Sequence, residues 1–190
     1  MPPWTEVRRY LRGAWLLARF NTEGLKAFGH GPGDAARSFY AAALVAPMYL
    51  LWAKLHGTGL PENAAFLQSA IFETLSYAIG WMIFPLCIWH FSLVVDCRKR
   101  FFHFLSAYNW VAVIQNALFM SLDLLLWLGN ASEGARAFFG MVLLIYVLAY
   151  STFVARVALA LPLGQAIAVV TIDMLTSLAW KFFSQGLAVS

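Results

Sequence analysis

Five apolar stretches, each long enough to cross a bilayer as a helix, set the limits on what this chain can fold into. About 20 apolar residues span the roughly 30 Å of bilayer hydrocarbon, where only helices and closed barrels satisfy all of their backbone hydrogen bonds. Charged residues make up 12% of the 190, against roughly 25% in a soluble domain. We therefore predict an all-α integral membrane bundle of five transmembrane helices, at residues 38–55, 65–92, 104–128, 136–157 and 163–183.

Residues that commonly start or stop helices lie at most of these boundaries. In chain order they are Asp34, Pro61 with Glu62, Gly129 with Asn130, Ser132 with Glu133, and Pro162 with Gly164. The connections between the stretches are too short to hold a second domain. We expect a cytoplasmic amphipathic N-terminal segment, residues 1–37, followed by a transmembrane domain, residues 38–190.

The segment from Trp4 to Phe20 has a different pattern, because its apolar and cationic residues fall on opposite sides of one helix. The apolar side holds Trp4, Val7, Tyr10, Leu11, Ala14, Trp15, Leu17 and Ala18. The other side holds Arg8, Arg9, Arg12 and Arg19. This pattern predicts an interfacial helix on the lipid surface, with a soluble helix packed on the protein's own loops as the alternative. The stretch FGHGPGD, residues 28–34, then predicts a turn into the first span.

Basic residues are concentrated at one end of the predicted bundle. Those before or at the start of the first span are Arg8, Arg9, Arg12, Arg19, Lys26 and Arg37, and the loop after the second span adds Arg98, Lys99 and Arg100. The candidates at the opposite end are only Lys54, Arg136 and Lys181. By the positive-inside rule, the N-terminus is therefore cytoplasmic and the C-terminus external.

The net charge of +4 also bears on the partners of the protein. In a soluble protein such a charge can indicate nucleic acid, but these basic residues flank membrane spans. We therefore predict that they contact anionic lipid headgroups, and we predict no nucleic-acid partner. The headgroup-binding residues expected are Arg8, Arg9, Arg12, Arg19, Arg98, Lys99 and Arg100.

Three carboxylates fall inside predicted spans, where a charged side chain costs about 2.5–3.5 kcal/mol on insertion scales. Asp173 lies close to the middle of the last span, while Glu73 and Asp123 lie nearer to the external end. The amides of the third span accompany them: Asn109, Gln115 and Asn116. One shared polar interior between the helices would receive all six side chains.

These polar residues have two interpretations. In the first, Asp173, Glu73 and Asp123 line a path for protons or cations, since intramembrane acids can bind and release protons. In the second, they make hydrogen bonds between helices or to a partner helix, each worth about 0.6–2 kcal/mol. The second is favoured because transporters usually carry repeats or interrupted helices in matching positions, and no internal repeat is found here.

Motifs for metals and enzymes are missing. The spacing of Cys87, His90, Cys97 and His103 matches no zinc or haem signature, and the two cysteines are too far apart on one helix for a disulfide. His30 and Asp34 could act together as a catalytic base at the membrane surface, but a linker is the favoured interpretation of that turn. We predict no cofactor, no metal and no catalytic activity, with a motif-less lipid enzyme ranked lower.

Two stretches carry a resemblance to a known family. They are AYNWVAVIQNALF in the third span, and TFVARVALALPLGQAIAVVTIDMLT, in which an arginine closes one span and a short turn leads into the next. Residues 38–183, with their five predicted spans after an amphipathic cytoplasmic segment, resemble the Yip1 family of small membrane proteins. The Asp-Leu-x-Gly-Pro signature of eukaryotic members is absent, so the resemblance is to the bacterial type. It implies the fold and a bacterial inner membrane, and no active site.

The function that these patterns favour is that of a non-catalytic membrane organiser, scaffold or assembly partner. Such a protein would bind anionic lipid with its arginine-bearing helix and contact another membrane protein, or itself, through small and polar helix faces such as LGQAIAVVTIDMLTS. The alternative is a small transporter or a proton- or cation-conducting subunit that uses the intramembrane carboxylates.

The orientation is open to a direct test. A reporter fused after Ser190 should be active only outside the cytoplasm, because an odd number of spans follows a cytoplasmic N-terminus. Activity in the cytoplasm would mean that the number of spans is even. A matched fusion after Lys99 should report the opposite side.

Overall fold

Helices account for the whole architecture of the chain as far as it is described. The computed structural model describes the backbone of residues 2–56 and 66–189 and the side chains of residues 2–51 and 71–184. The α-helices are α1 (Trp4–Ala18), α2 (Pro32–Ser38), α3 (Tyr40–His56), α4 (Phe66–Val94), α5 (Phe101–Leu128), α6 (Glu133–Leu159) and α7 (Leu163–Val189). Short 3-10 turns lie at Thr22–Ala27 and Arg98–Arg100. The predicted all-α class is confirmed for this part of the chain.

Four of the described helices are long and apolar enough to cross a membrane. They cover Ile71–Val94, Arg98–Leu128, Glu133–Leu159 and Leu163–Ser184, which confirms the second to fifth predicted spans. The first predicted span, 38–55, corresponds to α3, whose 17 residues are fewer than the about 20 that cross the hydrocarbon. A fifth span therefore stays a prediction. Pro61 and Glu62, expected to open the second span, lie outside the described residues.

Several predicted helix ends are confirmed by their hydrogen bonds. The Ser132 hydroxyl accepts from the Ala135 N–H at 3.3 Å and begins α6, while Gly129 ends α5. At the end of α6, Ala160 has a left-handed backbone with φ of 53°, and the chain turns at Pro162 into α7. The amino-acid types at these ends thus determine where the long helices stop.

The prediction of a simple turn at residues 28–34 is wrong in its second half. Pro32 begins α2, because its fixed φ suits the first helical position. Asp34 accepts from the Gly31 N–H at 3.2 Å and from the Arg37 guanidinium at 2.7 Å. These two donors lower the pKa of Asp34, the Arg37 bond being the larger cause. Asp34 therefore stabilises the start of α2 and does not cap the first predicted span.

Helix α5 lies at the centre of the described fold. It packs against α1, α2, α3 and α6, and less extensively against α4, while α7 packs on α4 and α6. Two buried clusters form along its first half, and Trp110 and Phe104 are among their largest side chains. The second half of α5 carries exposed apolar side chains instead, including Leu125 and Trp127. The protein interior is thus concentrated around one half of the bundle.

The N-terminal segment, here residues 4–38, belongs to that interior. Val7, Tyr10, Ala14 and Leu17 are at most 2% exposed and share a cluster with α5 and α6. Two tyrosine hydroxyls of α6 donate to backbone carbonyls of α1: Tyr146 to Ala18 at 2.6 Å and Tyr150 to Ala14 at 2.7 Å. The Tyr10 ring stacks on Trp110, with centroids 5.1 Å apart. Both apolar burial and hydrogen bonds therefore hold α1 on the bundle.

This packing corrects the expectation that the apolar side of α1 lies in lipid. Most of that side contacts protein, and only Trp4 and Trp15 are largely exposed, at 68% and 51%. The alternative of packing on the protein's own loops describes part of the contact, since α1 packs on the turn Thr22–Ala27 as well as on α5 and α6. Periodicity identifies which residues share one side of a helix, but it does not identify what covers that side.

A close crossing of two glycines shapes the N-terminal segment. A Cβ at Gly13 would lie 2.5 Å from the Ala27 Cβ and 2.9 Å from the Gly24 carbonyl oxygen. A Cβ at Gly24 would overlap the Gly13 carbonyl oxygen. The 3-10 turn can therefore lie directly on α1 only because both side chains are single hydrogen atoms.

Gly13→Ala should destabilise the N-terminal segment by about 1–3 kcal/mol, because the added methyl group overpacks a filled contact. Limited proteolysis in detergent should then cleave residues 4–38 faster than in the wild type. Gly33→Ala is the matched control, since a Cβ there meets no atom within 4 Å. Equal cleavage of the two variants would contradict the close contact between α1 and the 3-10 turn at Gly13.

Candidate functional site

Asp173 on α7 has a partner within its own chain. The Tyr108 hydroxyl of α5 donates to the Asp173 carboxylate at 2.8 Å. Asp173 lies ten residues after the start of α7 at Leu163, which corresponds to about 15 Å along a helix and thus to the middle of that span. The acid therefore links α7 to the central helix, and it does not need a second protein to supply its hydrogen-bond donor.

A small cavity lies beside this pair. Its volume is about 10 Å³, which is close to the smallest space that holds one water molecule. Its polar lining side chains are Tyr108, Ser151 and Asp173, and the rest of the lining is apolar: Phe84, Phe104, Val111, Val154, Ala155, Val169 and Val170. The cavity is too small for an organic substrate.

Ser151 connects the cavity to a second polar contact. The Gln115 amide of α5 donates to the Ser151 hydroxyl oxygen of α6 at 2.8 Å. Gln115 follows Tyr108 by seven residues, which places both on one side of α5. This side of α5 therefore contacts a polar group on α6 and another on α7.

Glu73 on α4 also accepts from a tyrosine, but at a different place. The Tyr49 hydroxyl of α3 donates to the Glu73 carboxylate at 3.2 Å. Nearby, the Tyr77 hydroxyl donates to the Ala42 carbonyl at 2.6 Å, and the Trp180 indole donates to the Ser76 carbonyl at 3.0 Å. Aromatic donors therefore attach α4 to α3 on one side and to α7 on the other.

The remaining predicted polar residues are dispersed. Asn109 donates to the buried Ser38 hydroxyl at 2.8 Å, and Asn116 donates to the Ala112 carbonyl of its own helix at 2.8 Å. Asp123 lies half-buried towards the end of α5. Of the six predicted residues, only Asp173 lines the cavity. This cavity therefore does not bring the six residues together.

Sequence reasoning missed the tyrosines that pair with the acids. Tyr108 and Asp173 are 65 residues apart in the chain, and Tyr49 and Glu73 are 24 apart. Tyrosines in apolar spans were available as a signal, because a buried hydroxyl needs a hydrogen-bond partner. Only the packing of the helices determines which hydroxyl meets which acid.

The N-terminal segment contacts the start of α5 through two histidines. The His30 ring stacks on the His103 ring with centroids 3.9 Å apart, and His103 Nδ1 lies 3.3 Å from the Gly29 carbonyl oxygen. His30 is therefore not paired with Asp34, whose carboxylate binds Arg37. Within the described ranges, no group of three or more His, Cys, Asp or Glu side chains could hold a metal.

The arginines of α1 are exposed, whereas the other cations of the segment are neutralised. Lys26 forms an ion pair with Glu23 at 2.5 Å, and Arg37 forms one with Asp34 at 2.7 Å. Neither of these two ion pairs involves an arginine of α1. The exposed cations of α1 are Arg8, Arg9, Arg12 and Arg19, and the turn before α5 exposes Arg98, Lys99 and Arg100. The turn with Arg98, Lys99 and Arg100 lies at the end of the bundle where His103 contacts Gly29.

Comparison of the chain with protein-family models, with curated proteins and with solved structures finds no match in any of the three.

Cys97 provides a test of packing at this end. It is 7% exposed, and burial raises the pKa of its thiol, so that less reactive thiolate is present at neutral pH. The matched control is Cys97→Ala/Lys99→Cys, which moves the thiol to the exposed position 99. On opened membranes, an impermeant maleimide should modify Cys97 of the wild type on the order of tenfold more slowly than the thiol at position 99 of this variant. The rate should rise with pH. Equal rates for the two positions would contradict the buried environment.

Tyr108→Phe should destabilise the bundle by about 1–3 kcal/mol, because Asp173 loses its donor. Thermal unfolding in one detergent measures this effect. Tyr40→Phe is the control, since Tyr40 is also half-buried and its hydroxyl makes no hydrogen bond within the described part. If both variants unfold at the same temperature as the wild type, the Tyr108–Asp173 hydrogen bond contributes nothing to the stability of the fold.

Proposed function

We propose that this chain is a non-catalytic membrane organiser that holds a cationic surface against anionic lipid headgroups at the cytoplasmic side. The proposed surface consists of Arg8, Arg9, Arg12, Arg19, Arg98, Lys99 and Arg100. The observation that carries the proposal is that α1 is fixed on α5 and α6 by its apolar side while its four arginines point away from them. The spans then anchor this surface and offer apolar and small-residue faces to another membrane protein or to a second copy.

The charges of this surface are available to an external anion. The two acids of the segment that form ion pairs, Glu23 and Asp34, bind Lys26 and Arg37 and not the α1 arginines. Each Lys or Arg close to an anionic membrane surface contributes about 1 kcal/mol of attraction. Seven such residues on one rigid body would favour anionic lipid strongly.

Rigid attachment distinguishes this surface from that of a free amphipathic helix. A free helix inserts its apolar side among lipid tails, so apolar area and charge both contribute to binding. Here α5 and α6 already cover most of that area. Lipid contact in this proposal therefore depends on the arginines, with only Trp4 and Trp15 to add apolar contact.

The topology proposed has five spans, with α3 as the first, the N-terminus in the cytoplasm and the C-terminus outside the bacterial inner membrane. The lateral packing of α3 along α5 supports this arrangement. The arrangement also agrees with the Yip1-like pattern of five short-looped spans after an amphipathic segment.

The second candidate function is a proton- or cation-conducting subunit, favoured by the cavity beside Asp173 and Tyr108. It is the weaker candidate, because neither Glu73 nor Asp123 lines that cavity. Asp173→Asn separates the two functions: an organiser should retain its co-purifying membrane partner, whereas a conductor should lose flux in reconstituted vesicles.

Lipid selectivity of the full-length protein tests the first candidate. Arg8→Gln/Arg12→Gln should weaken the preference for phosphatidylglycerol over phosphatidylcholine several-fold at low salt, as measured by native mass spectrometry of bound lipids. Arg136→Gln/Lys181→Gln is the control, since it removes two exposed charges elsewhere in the bundle. If both double variants weaken the lipid preference equally, the preference depends on net charge alone, which would contradict a localised surface.

A further inference from the structure

Two hydroxyl groups, those of Tyr108 and Ser151, line the cavity together with Asp173. Tyr108 donates to its carboxylate directly. The Ser151 oxygen accepts from Gln115, and its own hydrogen has no acceptor among the described groups. Ser151 and Asp173 line the same cavity, on α6 and α7. A hydroxyl hydrogen and a carboxylate oxygen therefore face a common space without a direct bond between them.

The size and lining of that space match one water molecule. A buried water molecule requires about 10–15 Å³ and two to four polar partners. The cavity has about 10 Å³ and three polar lining side chains, Tyr108, Ser151 and Asp173. Empty cavities in proteins are lined by apolar groups alone, which is not the case here.

We propose that the cavity binds a single water molecule that links Ser151 to Asp173, and that the completed site binds one proton at the Asp173 carboxylate. The water oxygen accepts the Ser151 hydrogen, and one water hydrogen is donated to an Asp173 oxygen. Gln115, Ser151, the water and Tyr108 then all favour the ionised carboxylate, against the cost of a charge in the membrane. Protonation adds H⁺ to that oxygen and reverses the hydrogen bond with the water.

Few other charges affect this site. Tyr108 is the only other titratable side chain among the lining residues, and α4 and α6 contribute Phe84, Ser151, Val154 and Ala155. The protonation of Asp173 is therefore governed by its hydrogen bonds and by burial. The site does not depend on the proposed lipid-binding surface, so each proposal can fail separately.

Infrared titration of the full-length protein in lipid nanodiscs tests this site. The carboxylic acid band of Asp173 is identified by its loss in Asp173→Asn. Two variants remove the water differently: Ser151→Ala deletes its donor, and Ala155→Val fills its space. Ser121→Ala, on an exposed part of α5, is the control.

Both cavity variants should keep Asp173 protonated to a pH about one unit higher than the wild type, because the carboxylate loses a hydrogen bond. In the control, Ser121→Ala, the Asp173 band should titrate over the same pH range as in the wild type. The proposal is overturned if no Asp173 band titrates, if both cavity variants match the control, or if Ser151→Ala shifts the band while folded Ala155→Val does not. If Ser151→Ala fails to fold, Ala155→Val decides alone; if Ala155→Val fails to fold, Val170→Ile fills the same space from another lining position and takes its place.

Discussion

The burial of one side of α1 against α5 and α6 is the contact on which the rest of the arrangement depends. It covers Tyr10, Ala14 and Leu17, and it uses the hydroxyls of Tyr146 and Tyr150 to satisfy α1 carbonyls. Through it, a polar and strongly basic segment becomes part of the interior of a membrane protein. The position of the arginines then follows, because the side of α1 opposite to the buried one has to be the exposed side.

A second constraint is that each polar group at membrane depth needs a partner. Asp173 and Glu73 meet this need with tyrosines of neighbouring helices, and Gln115 meets it with Ser151. Hydrogen bonds of this kind contribute only about 1–2 kcal/mol each, yet leaving one partner alone costs more. They therefore specify which helices are neighbours, while apolar packing around Trp110 and Phe104 provides most of the burial.

Much of this fold follows from the sequence, and the exceptions have physical reasons. The long helices match their predicted ranges because length and hydrophobicity are local, as in α7, predicted at 163–183 and found at Leu163–Val189. Ser132 marks the start of α6 for an equally local reason. Helix α2 was missed because glycine and proline indicate a turn, although proline also begins helices. The Tyr108–Asp173 pair was missed because it depends on how distant helices pack.

Hydrogen–deuterium exchange on the full-length protein in lipid nanodiscs tests most directly whether the basic segment is part of the bundle. We predict that amides of Val7 to Ala18 exchange as slowly as those of α5 around Trp110, since both lie in one cluster. Tyr146→Phe/Tyr150→Phe should accelerate exchange in α1 and leave α4 unchanged. Fast exchange of α1 in the wild type, as for a helix resting on the membrane surface, would contradict the burial of α1 against α5 and α6.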